Sequence, residues 1–337
     1  MTDQWPAVNP PWSMVRGLRS LVIRLFLQRV FSRGDGAANF QDTRTSTDSI
    51  IRSVQANAAE RALNYLIVGH VSRDFTPEGE RPGGTAVYSG LTARRYGANV
   101  YLVTACAEEF DLSALSGITV RRQPSATTTV FENRYDDNRR EQWIHSVAEP
   151  IRTASIPAEW PEPGIVHLAP IAGEATADLF QPYPRALRCA TLQGMLRIRE
   201  ADGAVRARYG PDAESAAAAS SAVVFSLDDV GGRESQAEQL AGFCAVTAVT
   251  EADRGCRVYW NGHVRRFPAP EVRAVDPTGA GDIFAAVFFL RLADTRDPYE
   301  AARMATRIAS QSVARRGLAG IPNPDEILEG KTVIERP

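Results

Sequence analysis

The residues best suited to chemistry stand together in Asp276-Pro277-Thr278-Gly279-Ala280-Gly281-Asp282, followed at once by the apolar run Ile283 to Leu292. Gly279, Ala280 and Gly281 carry almost no side chain, so their backbone N–H groups can face a ligand unobstructed. The run after them is rich in Ala, Phe and Leu and predicts a buried helix. The first N–H groups of such a helix have no partner inside it, and its dipole makes that end positive. A small-residue turn at this place is an anion site, most often for phosphate. Asp282 stands at the edge of that site, where a carboxylate would repel phosphate. A general base that takes a proton from an attacking hydroxyl accounts for its presence. First-turn capping is the plainer alternative.

The rest of the composition narrows what could surround such a loop. The chain has 337 residues, 44% of them hydrophobic, enough for one large α/β domain or two smaller ones. A net charge of −2 supplies no global field for nucleic acid. Cys106, Cys189, Cys244 and Cys256 are scattered without a Cys-x-x-Cys pair, which argues against a zinc site or a disulfide framework and fits a cytoplasmic location. His70, His145, His167 and His263 show no metal spacing either and read as packed or surface residues. Lys331 is the only lysine, and it lies in the last few residues. A Walker loop, a protein-kinase strand lysine and a Schiff-base lysine are therefore excluded. Phosphate must be held by backbone N–H groups, arginine and metal.

The elements that must position the loop can be read in order. Residues 1–60 form an N-terminal extension: Trp5 to Pro11 is Pro-rich, and Arg16, Arg19, Arg24, Arg29 and Arg33 follow with no acid among them. It is expected to be poorly ordered, with a targeting or membrane-surface segment as the alternative; its apolar run is too broken for a transmembrane helix. Tyr65-Leu66-Ile67-Val68-Gly69 reads as a buried parallel strand with Asp74 soon after it. In open α/β sheets ligands sit beyond the carboxyl ends of strands, where an Asp can accept bonds from two hydroxyls. Gly83-Gly84 precedes a helix ending near Gly97 and permits close approach or hinge motion. Thr127 to Tyr135 and Arg139 to Ile144 predict a hairpin, with Arg139, Arg140 and Gln142 as polar residues. From Pro163 onward strands at 165–168, 189–192, 222–226 and 245–249 alternate with helical stretches, the pattern of βαβ units and a parallel sheet. Gln193 and Arg197 fall just beyond one strand, Asp228 and Asp229 beyond another. Asn261-Gly262 is a hairpin turn after Cys256 to Trp260.

The seven-residue string resembles the signature of the ribokinase-like (PfkB) carbohydrate kinases, and the resemblance extends over roughly residues 64–322, leaving 323–337 as a C-terminal tail. It implies a three-layer α/β fold with a mostly parallel central sheet and a small β lid from segments near 72–84 and 120–147. It implies an ATP-dependent kinase acting on a hydroxyl of a sugar or polyol. Asp282 is then the base, and Gly279, Ala280 and Gly281 the anion hole. Asp74, Gly83, Gly84, Arg139 and Gln193 are implied substrate contacts. Thr250, Ala252, Gly255, Thr278, Gly281, Ala309 and Val313 are implied on the nucleotide side, and Asp229 with Asp228 on Mg²⁺, with a monovalent cation as a further candidate. A homodimer through the lid edge is compatible with it. Four positions depart from the family's pattern: Val287 inside the helix, Tyr88 or Val87 near the usual Asn, Ser226 in place of Asn, and Ala252 in place of Gly. The Gly255 to Trp260 string looks closest to myo-inositol kinase-type members. A nucleoside kinase and a non-catalytic sugar or nucleotide sensor remain open alternatives. A nucleotide-binding dehydrogenase is disfavoured, because Gly69-His70-Val71-Ser72 lacks the glycine fingerprint.

Overall fold

The computed structural model describes residues 62–76, 79–136 and 139–332, with backbone only at 135, 136, 139 and 140. The expected extension at 1–60 lies outside the described residues. The first strand of the described chain is β1 (Asn64–Val68), whose last four residues are buried. Alternate side chains enter two different apolar layers: Tyr65 and Ile67 one, Leu66 and Val68 the other. A strand covered on both faces needs such an unbroken apolar run.

β1 pairs in parallel with β4 (Asn99–Cys106) and β8 (Ile165–Leu168). The sheet continues through β9 (Leu187–Thr191), β12 (Ala222–Ser226) and β13 (Val246–Thr250), all parallel. Antiparallel β14 (Cys256–Trp260) and β15 (His263–Phe267) close one edge, and parallel β5 (Thr119–Pro124) closes the other. The β14–β15 turn is made by Asn261 and Gly262, both at positive φ as a tight hairpin requires. The result is a mostly parallel nine-stranded sheet with helices on both faces, in keeping with the parallel sheet that the alternating pattern predicts and the three-layer fold that the resemblance implies.

One apolar layer holds α1 (Thr85–Tyr96), α4 (Ala280–Thr295) and α5 (Pro298–Ser312). The other holds α2 (Pro211–Ala219) and α3 (Glu234–Ala241). Every residue of α4 from Ile283 to Leu292 is buried, Val287 included. A helix apolar on all sides belongs inside the protein. Residues 324–332, read above as tail, form α6 (Pro324–Thr332), whose Ile327 is buried in the same layer as Met304 and Ile308.

A separate four-stranded sheet has the order β3 (Gly79–Gly83), β2 (Ser72–Thr76), β6 (Thr129–Asp136), β7 (Arg139–Ser146). This is the expected lid, with one change: residues 119–124 belong to the main sheet as β5, so the second lid segment starts at Thr129. A hairpin of β10 (Arg197–Arg199) and β11 (Val205–Ala207), absent from the pattern reading, runs beside β7.

The lid joins the sheet through buried polar groups. His70 Nε2 donates to the Glu149 carbonyl (2.9 Å), while Thr129 Oγ1 bonds His70 Nδ1 (2.9 Å) and accepts from the Ala148 N–H (3.0 Å). Glu174, 3% exposed, accepts from the N–H groups of His70 (2.8 Å) and Ala172 (2.7 Å) and from Ile171. These bonds fix the chain just beyond the carboxyl ends of β1 and β8. Glu174→Ala should therefore lower the unfolding free energy by about 3 kcal/mol, since two buried amides and one half-buried amide lose a charged acceptor. Urea titration followed by tryptophan fluorescence measures this; a loss within about 0.5 kcal/mol would show that the amides find other partners.

Candidate active site

The carboxyl ends of β1, β8, β9, β12 and β13 all point to the same edge of the sheet, and the lid stands over that edge. Two connected cavities lie there. The smaller, about 140 Å³, is lined by Asp74, Thr85, Tyr88, Gln193, Arg197 and Asp282 among others. The larger, about 1100 Å³, extends away over β12, β13 and the start of α4. Gln142, Gln193, Arg197, Asp229, Thr250 and Gly281 line both.

Gly279 begins α4 with φ 79°, and the Ile283 N–H donates to its carbonyl at 2.9 Å. A methyl at Gly279 would lie 2.2 Å from the Tyr88 ring, whereas one at Gly281 meets nothing within 4 Å. The three amides expected to form an anion hole are not equivalent. The Ala280 N–H donates to the Pro277 carbonyl at 3.2 Å. The turn's own closure thus uses Ala280, which leaves the amides of Gly279 and Gly281 as the ligand-facing candidates, with the helix dipole behind them.

Asp282 faces the smaller cavity. Thr85 Oγ1 donates to its Oδ1 at 2.7 Å, and Ser89 Oγ donates to its backbone carbonyl at 2.9 Å. Both donors come from α1, so the helix after Gly83-Gly84 sets the orientation of the carboxylate. Asp74, in β2 of the lid, accepts from Ser72 Oγ at 2.7 Å. A methyl at Gly83 would lie 2.2 Å from Asp74 Oδ2, which is why the paired strand has no side chain there. Gly84 lines the cavity directly. Tyr88 is nearly fully buried; burial first, then Asp74, Asp282 and Asp276, push its phenol far above the ordinary value. The hydroxyl stays protonated at neutral pH.

Asp276 ties the loop to two distant elements. It accepts from the Thr278 N–H and the Gly317 N–H, both at 2.9 Å, and pairs with Arg81 of β3 at 3.8 Å. Burial works against the charge, but these bonds and Arg81 hold the Asp276 carboxyl below its usual range. Thr278, expected on the nucleotide side, lines the smaller cavity instead.

Thr250, Ala252, Gly255, Ala309 and Val313 line the larger cavity. Ala252 has φ 53°, a left-handed conformation that costs a non-glycine residue roughly 1–2 kcal/mol. The chain keeps the backbone shape of a glycine at this position without the glycine. Glu251 fixes the back of the loop through Arg266 (2.7 Å) and Arg257 (3.5 Å).

Asp229 and Asp228 differ. Asp228 is exposed and lines only the larger cavity. Asp229 lines both, but its Oδ2 also accepts the Ser226 N–H at 2.8 Å in a capping box. Burial pushes the Asp229 carboxyl up, against that N–H, Arg197 and a hydrogen bond from Gln193. Among the described residues no group of three or more His, Cys, Asp or Glu side chains gathers as a ready metal cage. One carboxylate at the junction of the cavities does suit Mg²⁺, which is commonly bound by one or two carboxylates plus substrate phosphates. The Arg139 side chain lies outside what the structure describes. The sequence marks Gln142 only as a polar residue of the hairpin and Arg197 only as lying beyond a strand, and it does not mark Thr85; each owes its place at the cavities to contacts across the fold.

The structure thus places a carboxylate beside a small-residue helix start, on a parallel sheet under a β lid. Residues 216–326 match the model of the pfkB family carbohydrate kinases. It is similar to the cytidine kinase of Thermococcus kodakarensis, 26% identical over 76% of this chain and 98% of that protein. It is also similar to the inositol 3-kinase of Oryza sativa subsp. japonica, 26% identical over 80% of this chain and 73% of that protein. Among solved structures, a pyrophosphate-dependent kinase of the ribokinase family, complexed with a pyrophosphate analog and myo-inositol, superposes with a TM-score of 0.66. That match has 23% identity and covers 79% of this chain and 99% of the other. The protein is thus a phosphotransferase to a hydroxyl acceptor. Among the described residues no helix is long and apolar enough to cross a membrane.

Proposed function

We propose that this kinase moves the γ-phosphoryl group of ATP to a hydroxyl of a small neutral polyol or sugar, myo-inositol first among them, with Asp282 as general base. The observation that carries this reading is the Asp282 carboxylate, held by Thr85 at 2.7 Å, on the small cavity beside the Gly279–Gly281 turn.

The acceptor class follows from size and charge. At about 140 Å³ the cavity is well below the roughly 300–1,000 Å³ of sites for drug-sized ligands. It suits one ring of hydroxyls and leaves little room for an attached base. Asp74 and Asp282 on its wall favour a neutral acceptor over a sugar phosphate. During transfer, Asp74 accepts bonds from acceptor hydroxyls and Thr85 keeps the Asp282 carboxylate in line. Asp282 takes the proton of the attacking hydroxyl as its oxygen bonds to the γ-phosphorus and the bond to the leaving ADP oxygen breaks. Amides of the Gly279–Gly281 turn stabilise the oxygens that gain charge. Asp229 would hold Mg²⁺ against the donor phosphates, which supplies further charge neutralisation there.

The donor assignment rests on the larger cavity. Its volume of about 1100 Å³ and its apolar wall of Val272, Ala274, Ala309 and Val313 suit a nucleoside, for which pyrophosphate has no use. The decisive experiment incubates the purified protein and Mg²⁺ with ATP or pyrophosphate, each with myo-inositol, ribose, fructose or cytidine. ³¹P NMR then identifies the phosphorylated product. Transfer from ATP to a polyol or sugar is expected. Transfer from pyrophosphate alone would overturn the donor, transfer to cytidine alone the acceptor, and ligand binding without any transfer the enzymatic reading.

A further inference from the structure

We infer that Arg197 is a further catalytic residue, the cation that touches the phosphoryl group in flight between donor and acceptor. The inference rests on the kinase reading above and adds a role to a residue that reading does not use.

Three observations carry it. First, Arg197 lines both cavities, and among the described residues it is the only cationic side chain on the wall they share. A group passing from one cavity to the other passes it. Second, its guanidinium is preorganised. Its Cζ stands 4.9 Å from the centre of the Phe131 ring. Its two terminal nitrogens donate to Gln142 Oε1 (3.4 Å) and Gln193 Oε1 (3.3 Å). Gln142 is itself fixed, because its Nε2 donates to Asn133 Oδ1 at 2.8 Å. Phe131, Asn133 and Gln142 belong to the lid, and Gln193 to the sheet end, so the guanidinium position depends on the lid being over the sheet. Third, the chain has no lysine to do this work. Lys331 lies over the Tyr96 ring at 3.6 Å and donates to the Tyr96 carbonyl.

In the transfer, the acceptor oxygen bonds to the γ-phosphorus, the bond to the bridging oxygen of the nucleoside triphosphate breaks, and Asp282 keeps the proton. The three equatorial oxygens carry spread negative charge throughout. A planar guanidinium with several N–H donors suits two of those oxygens at once, as an ammonium does not. Asp229 near Arg197 would place a divalent cation on the donor side of the same group, so the two positive charges flank it.

The test uses the full chain, Mg²⁺, ATP and whichever of myo-inositol, ribose and fructose the wild type turns over fastest. Arg197→Ala should lower kcat by about a hundredfold to a thousandfold, the loss typical of one transition-state donor, with acceptor KM changed less than about threefold. Millimolar guanidinium should restore at least tenfold of the lost rate, and methylammonium should not. Arg197→Lys, which keeps the charge and fills most of the space, should recover only part of the rate. A kcat within threefold of wild type would overturn the inference. So would a loss confined to acceptor KM, which would make Arg197 a substrate anchor. A loss that guanidinium leaves untouched, with a fall of several degrees in melting temperature, would make it a clamp of the lid and overturn the inference equally. If the wild type transfers phosphate to none of these acceptors, the kinase reading fails first and is seen to fail in the absence of any variant.

Discussion

Asp282→Asn lowers kcat by about a hundredfold or more while ATP binding is retained, as loss of a general base requires. The substitution is nearly isosteric, and an amide oxygen can still accept the Thr85 hydroxyl that now bonds Oδ1 at 2.7 Å. The side chain therefore keeps its place and loses only its capacity to take a proton. The backbone role of the residue survives as well, because Ser89 bonds its carbonyl. Steady-state kinetics alongside isothermal titration with ATP separates the two effects. Turnover within threefold of wild type would remove the general base from the mechanism. A loss of ATP binding equal to the loss of rate would show that the carboxylate serves the ligand site and not the chemistry.

Gly281→Ala gives a protein as stable as the wild type, or slightly more so, that has lost at least tenfold in activity. The added methyl meets nothing within 4 Å, and Ala in the first turn of a helix is favoured over Gly by roughly 0.5–1 kcal/mol. The space it enters is the junction of the two cavities. The methyl shields the amide that would face the phosphate. Gly279→Ala is the contrasting control: at φ 79° and with the Tyr88 ring 2.2 Å from the new carbon, it strains the fold itself. Melting temperature and kcat for the pair thus move differently: activity alone falls in the first, both in the second. Full activity in Gly281→Ala would show that phosphate does not approach this amide.

The sequence made the loop at 276–282 legible because all its parts lie within seven residues, and a helix start has local rules. The parallel strands were legible for the same reason: a strand buried on both faces must be apolar throughout, as Tyr65 to Val68 are. Arg197, Thr85 and Gln142 are a different case. Thr85 acts on a residue almost two hundred positions away, and Arg197 is defined by a lid aromatic and two amides from separate elements. No spacing in the chain encodes such a meeting. The β10–β11 hairpin leaves no sequence signal, because three-residue strands show no usable alternation. Ala252 shows how a local rule can mislead: the missing glycine suggests a changed loop, yet the backbone keeps a positive φ there.

The β10–β11 hairpin has a kinetic consequence. It is rooted in the body, where Arg208 N–H bonds the buried Leu196 carbonyl, and it grips β7 at its far end. The Ile144 N–H donates to Gly203 (2.8 Å), Arg199 donates to Ile144 (2.6 Å), and Trp143 pairs with Ala204. It works as a strut. Swinging β7 outward must break this set, at about 1 kcal/mol per bond, so the gaping form is a small minority at rest. Egress of the phosphorylated product then sets the pace of the cycle, and kcat should fall as sucrose thickens the medium. A turnover number indifferent to viscosity would show that the strut lets go easily.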